Sequence, residues 1–312
     1  MANNYILIDG SYFIFYRYYA LNVWWSHQTA MGGDPPPQEE LPHSHAHGGS
    51  GQMGLPPEFI EKFKSTFVSK IHDIDKKLKL KNTIKYVGKD CRRSDIWRTA
   101  LYPEYKGTRD STTTFLGAPL FKMVYDEQLY EKAGVQQILS YPSLEADDCI
   151  ALMTKHLYKT EPDAHIWIIA SDMDYLQITN DRIHLYDLKF KNICDKSSGD
   201  PLEDLFCKIV AGDKSDNIPS VFKKCGIKTA QKYFKDRDLF AKKLAADKEA
   251  QEIYKLNTTL VDFNCIPTEL VEGYSKLIKS YSIGQQKEIK KYIIRGDYIL
   301  PYRPVEDIEM TI

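Results

Sequence analysis

The six cysteines of this 312-residue chain (Cys91, Cys149, Cys194, Cys207, Cys225 and Cys265) include no C-x-x-C pair. That absence removes the usual zinc spacings, and with no secretory leader in view it argues against a disulfide framework. The thiols read as reduced residues of a cytoplasmic protein. No apolar run approaches the roughly 20 residues that a spanning helix needs, so no membrane partner is expected. Internal repeats are missing too, which excludes a solenoid. Nor does either sign of charge dominate: 42 Lys and Arg stand against 43 Asp and Glu, net -1.

That balance conceals a division. Nine acids sit in short motifs flanked by apolar residues: Asp9, Asp90, Glu145, Asp147, Asp148, Asp172, Asp174, Asp213 and Asp216. Setting them aside leaves the rest of the chain net basic. Carboxylates gathered at strand ends repel one another and resist desolvation, so they need a counter-charge. A hard divalent cation with oxygen ligands, usually magnesium, supplies it most simply. A basic surface around such a pocket suits a polyanion, and the combination points to metal-assisted phosphodiester chemistry.

The first 190 residues alternate apolar runs with helical stretches, the pattern of a parallel α/β sheet. Strands are predicted near Tyr5–Ile8, Thr83–Gly88, Gln136–Leu139, Ile166–Ala170 and Ile183–Asp187. Helices are predicted near Ser11–Trp24, Glu58–Leu80, Leu120–Ala133, Leu144–Tyr158 and Met173–Ile178, with Ser11 as a cap for the first. Residues Ser26–Pro57, with Pro35-Pro36-Pro37 and Gly48-Gly49-Ser50-Gly51, read as a disordered insertion. His43, His45 and His47 within it could bind a metal adventitiously, though a polar loop explains them as well. Turn formers at Asp195–Pro201 mark a boundary between a domain of residues 1–197 and a lysine-rich helical domain of residues 198–312.

Each acidic motif has a plain structural alternative. Asp9-Gly10 closes a buried strand, where ligands of open α/β sheets gather, but Asp-Gly also makes ordinary turns. Glu145 and Asp148 share a helix face beside Asp147, near a helix N-terminus that favours negative charge in any case. Asp172 and Asp174 follow the run His165–Ala170; an Asx turn explains one of them better than the pair. Asp213 and Asp216 precede Gly226-Ile-Lys-Thr-Ala230, a turn opening a basic helix whose N–H groups and Lys228 suit a backbone phosphate.

Together these motifs resemble the flap endonuclease/5′-3′ exonuclease family, which includes the N-terminal nuclease domain of bacterial DNA polymerase I and the stand-alone phage 5′-nucleases. The resemblance rests on the Asp9 strand, Trp97-Arg98, Leu101-Tyr-Pro-Glu-Tyr-Lys-Gly-Thr-Arg109, Glu145–Asp148, Ser171–Asp174 and Gly212–Pro219. Leu260–Pro267 is most similar to the phage ribonuclease H-type branch. The resemblance implies a PIN/resolvase-like parallel sheet flanked by helices, a helical arch over residues 91–118, and a C-terminal helix–three-turn–helix that binds duplex. It further implies two magnesium ions, replaceable by manganese. Asp9, Asp90, Glu145, Asp147 and Asp148 would hold the first, with Asp172, Asp174, Asp213 and Asp216 holding the second; Asp9 and Asp172 would be central to catalysis. Lys106 and Arg109 would meet the scissile phosphate, with Arg17, Arg98 and a stacking Tyr105 nearby. Lys223, Lys224, Gly226, Lys228 and Thr229 would contact the duplex.

One departure concerns the turn before Lys228-Thr229-Ala230. The family shows two close glycines there, and this chain keeps only Gly226. That argues against the potassium ion that the family holds on the turn's carbonyls. The implied substrate is DNA with 5′ flaps, nicks or RNA primers, cut by a monomer working with a replication polymerase or single-strand-binding protein. The tail Pro304–Ile312 lacks a sliding-clamp-binding pattern. A PIN-type or RNase H-like ribonuclease and a non-catalytic DNA-binding protein are the competing readings.

Overall fold

The apolar run Tyr5–Ile8 becomes the central strand of a five-stranded sheet, as its complete burial requires. The computed structural model describes residues 3–30, 55–108 and 115–279. Strand β1 (Asn4–Asp9) pairs with β2 (Thr83–Gly88) on one side and β4 (His165–Ile169) on the other. Outside these lie β3 (Gln137–Leu139) and β5 (Ile183–Tyr186), giving the order β3-β2-β1-β4-β5, all parallel. The chain first builds outward from β1 through β2 to β3, then returns to the other side. The crevice at such a reversal, beyond the carboxyl ends of the strands, is where open α/β sheets place ligands.

Register brings the acids together at that end. Asp9 stands opposite Gly88, two residues before Asp90, and Ile8 stands opposite Ile169, three residues before Asp172. Gly10 permits the close approach: a Cβ there would lie 2.6 Å from the Gly88 carbonyl oxygen.

Helices α1 (Gly10–Ala30) and α2 (Pro57–Leu78) cover one face. Phe13, Phe63, Phe67, Ile71 and Tyr130 are all fully buried between them and the sheet. The expected Ser11 cap is replaced by Asp9, whose Oδ1 accepts the Tyr12 backbone N–H at 2.8 Å; Ser11 Oγ instead donates to Asp90 Oδ2 at 2.5 Å. A short helix α3 (Trp97–Leu101) precedes a turn through Gly107. The single helix expected over Leu120–Ala133 is two, α4 (Ala118–Asp126) and α5 (Leu129–Lys132). Gln128 between them is left-handed (φ 55°), which redirects the chain so that Leu129 and Tyr130 enter the core and Tyr130 donates to the Gly10 carbonyl.

Helix α6 (Ala146–Thr160) leads to β4, and a 3-10 turn over Met173–Ile178 follows it. Then come α7 (Pro201–Ala211), α8 (Ile227–Lys235), α9 (Arg237–Ala245) and α10 (Lys248–Val261). These pack around Phe206, Val210, Phe222 and Phe240. Residues 3–266 belong to one compact unit, within which α7 packs on the 3-10 turn after Asp172. A second unit begins at Pro267, and its residues 268–279 are helical. No described helix is long and apolar enough to cross a membrane. Arg109, most of the 26–57 insertion and its three histidines lie outside the described residues, as do residues 280–312.

Candidate metal centre

Asp9, Asp90, Glu145, Asp147, Asp172 and Asp213 face one open cleft of about 430 Å³, together with Lys106 and Lys208. They arrive from the ends of β1, β2 and β4, the start of α6 and the turn after α7. Asp90, placed in the sequence only by its position after a strand, sits at the cleft. Its Oδ1 accepts the Ala146 N–H at 2.8 Å, which ties the end of β2 to the start of α6.

The environment is short of positive charge. Burial, then the charge of Asp90, pushes the Asp9 carboxyl up to about 7. Glu145 and Asp174 are likewise raised to about 7, each first by burial and then by a neighbouring acid, Asp147 or Asp172 respectively. Burial also raises Asp172. Asp213 goes the other way, to about 2: burial acts against it, but hydrogen bonds from Lys208 and Ser215 outweigh that cost. Buried carboxyls lifted into the neutral range are the condition a divalent cation relieves.

Two lysines partly fill that need. Lys106 Nζ lies 2.5 Å from Glu145 Oε1 and 3.9 Å from Asp216 Oδ2. Lys208 Nζ lies 2.7 Å from Asp174 Oδ1 and also contacts Asp213 Oδ2. Despite burial, the surrounding acids hold both ammonium groups above their usual range.

The expected site residues Arg17, Arg98, Tyr105 and Asp148 are buried. Oxygens of Glu145, Asp147 and Asp148 lie within 4.8 Å of one another, close enough for an ion. Yet Asp148 is fully buried and both its oxygens are already engaged. Arg98 donates to them at 2.7 and 2.8 Å, Trp97 Nε1 at 3.0 Å and the Glu145 N–H at 3.2 Å. Arg98, expected to touch nucleic acid, is 2% exposed. Its remaining bonds go to Glu145 and, from Nε, to the Leu260 carbonyl at 2.7 Å. Tyr105, expected to stack on a base, is buried with its hydroxyl 3.1 Å from Glu145 Oε2 and 3.3 Å from Asp216 Oδ2. Arg17 is similarly buried on α1, where it feels the charge of Asp73 on α2.

Two residues take up roles the sequence did not announce. Phe15, 40% exposed, lines the cleft and packs on Phe115 and Phe121. Lys208 is the other, and its one signal was a lone charge inside the apolar run Leu205–Ala211. Away from the cleft, Lys223, Lys224, Gly226 and Lys228 form an exposed stretch at the start of α8, with Thr229 half-buried. Lys224 is left-handed (φ 58°) in the turn that lacks the second glycine.

The sequence model described as "5'-3' exonuclease, N-terminal resolvase-like domain" matches residues 4–200. A 5'-3' exonuclease of Buchnera aphidicola is 32% identical over 169 residues, which is 51% of this chain and 55% of that protein. The chain thus spans about half the length of that relative. Ribonuclease H of Enterobacteria phage T4 is 28% identical over 231 residues, covering 66% of this chain and 73% of the phage protein. Among solved structures, the bacteriophage T5 flap endonuclease crystallised with metal ions superimposes with a TM-score of 0.59 at 18% identity, covering 89% of this chain and 99% of that one. A second T5 structure, a pseudo-enzyme–product complex with DNA and metal ions, gives 0.58 with the same coverage. Both show the same fold.

Proposed function

The chain belongs to the 5′-3′ exonuclease family, and on that premise we propose that it is a divalent-metal-dependent nuclease that cuts DNA at 5′ flaps and ends. The observation that carries the reading is the cleft at the sheet's switch point, where six acids converge and Asp9 and Glu145 are pushed up to about 7. Mere duplex binding would be weakened by that much negative charge.

Asp9, Asp90, Glu145 and Asp147 would hold one ion. Asp172, Asp174, Asp213 and Asp216 would hold the other. Magnesium is the natural choice for an all-oxygen donor set, with manganese as a substitute. Bound there, such ions supply a water of lowered pKa and neutralise charge on the leaving oxygen, leaving a 5′-phosphate. The chain's own residues do the positioning. Asp148 fixes Arg98, and Arg98 in turn orients Glu145. Lys106 at the cleft offers an ammonium to the scissile phosphate. Phe15 takes the stacking role first assigned to Tyr105, since an exposed ring face beside the cleft accepts any terminal base. The exposed lysines at the start of α8 suit duplex phosphates read without sequence preference.

The test is a 5′-labelled flap duplex incubated with the protein in magnesium, in EDTA, and with Asp172→Asn. Cleavage is expected only in the first; equal cleavage in all three sinks the proposal. The likeness to a phage protein named ribonuclease H favours a second reading, removal of RNA primers. Parallel assays on RNA-primed and all-DNA 5′ ends separate the two.

A further inference from the structure

Lys208 lies near the end of α7 with its side chain 19% exposed, held between Asp174 and Asp213. An ammonium normally keeps its hydration, so burial at this position needs a reason. Two carboxylate oxygens supply it, one on the 3-10 turn after β4 and one on the turn after α7. Asp174 and Asp213 are both among the four acids assigned above to the second ion. A dication held by these two carboxylates would be repelled by an ammonium seated between them. The arrangement therefore calls for exchange, not addition.

Lys208 has somewhere to go. Its side chain also borders the open cleft, and its four-carbon stem is flexible. Lys106 makes a looser arrangement, close to Glu145 but 3.9 Å from Asp216. Lys208 is the cation seated tightly between two acids of the second group.

We infer that Lys208 is the resident counter-cation of the second acid group, displaced into the cleft when a divalent ion binds there, where it becomes available to a phosphate. This rests on the metal-dependent reading above and adds an order of events. The phosphate-binding ammonium is withheld until the second ion has arrived. A chain without metal keeps Asp174 and Asp213 paired with Lys208, and a loaded chain gains a cation facing the substrate.

The experiment uses the full chain and magnesium chloride alone, with no DNA. Binding and its stoichiometry are measured by calorimetry. Lysine accessibility is then read by acetylation with an N-hydroxysuccinimide ester and peptide mass spectrometry. Acetylation of Lys208 should rise by about tenfold on saturation, as expected for a linked displacement. The exposed Lys242 on α9 should not change. In Lys208→Met the second ion should bind about tenfold more tightly, because no ion pair must be broken first. Protection of Lys208 with two ions bound, or weaker binding of the second ion in Lys208→Met, overturns the inference and leaves the nuclease reading intact. If magnesium does not bind at all, both fall. Should Lys208→Met fail to fold, the labelling of the unaltered chain decides alone.

Discussion

Replacing Arg98 by methionine separates a structural role from a nucleic-acid contact. The guanidinium is 2% exposed and makes four short bonds: to Asp148 at 2.7 and 2.8 Å, to Glu145 at 2.9 Å and to the Leu260 carbonyl at 2.7 Å. Methionine fills much of the volume but leaves Asp148 a buried, uncompensated carboxylate, with only the Trp97 and Glu145 N–H groups still donating to it. Breaking one side of a buried pair in this way costs about 3–5 kcal/mol. For a chain of this size that lowers Tm by about 5–8 °C. Without Arg98, Asp148 would hold a proton to higher pH in the folded state than in the unfolded one. The deficit should therefore be smaller at pH 5 than at pH 8. The double change Arg98→Met with Asp148→Leu should recover most of the loss, since an apolar pair of similar volume replaces a buried ion pair well. Scanning calorimetry in EDTA at both pH values measures each quantity. Fluorescence anisotropy on a flap duplex over a salt series completes the set. An unchanged Tm combined with weaker binding and a shallower salt dependence would show that Arg98 touches phosphate after all.

Metal-free stability should fall as pH rises from about 4 to 7. Asp9, Glu145 and Asp174, each raised to about 7, keep protons in the folded chain that the unfolded chain has released. Asp213, lowered to about 2, contributes oppositely and loses its share only as pH drops below about 4 toward 2. Added magnesium should therefore raise Tm more at pH 8 than at pH 5.5, and an equal rise at both would contradict the site. Asp9→Asn should abolish flap cleavage, whereas Asp213→Asn should leave residual turnover; single-turnover assays that give the reverse order would overturn the assignment of the two groups. Lys224→Gly relieves a left-handed lysine and should stabilise the chain by about 1 kcal/mol in urea unfolding, while duplex binding weakens in a salt-dependent manner.

The sheet was legible because β1, β2 and β4 are short apolar runs that each end near an acid, a pattern that fixes both strand and direction. Their alternation with helical stretches marked the sheet as parallel, which puts Asp9, Asp90 and Asp172 at common carboxyl ends. The break at Gln128 was not legible: Leu120–Ala133 carries an uninterrupted helical pattern, and only the demand of Tyr130 for the core forces a left-handed residue there. The inward placement of Arg98 and Tyr105 was not legible for a different reason. A cation and an aromatic near a phosphate-handling motif look alike whether they face solvent or face inward. Burial beneath Leu260, more than 160 positions away, is a property of the assembled chain. Lys208 was hidden for the same reason, because its partner Asp174 comes from another element.

The phenol of Tyr105 has one hydrogen to give and two acids within reach, Glu145 in one group and Asp216 in the other. It can satisfy only one at a time. Whatever occupies Glu145 therefore changes what is offered to Asp216, and the reverse holds equally. Were ions to fill both groups as proposed, an event at one would be felt at the other through this single hydroxyl.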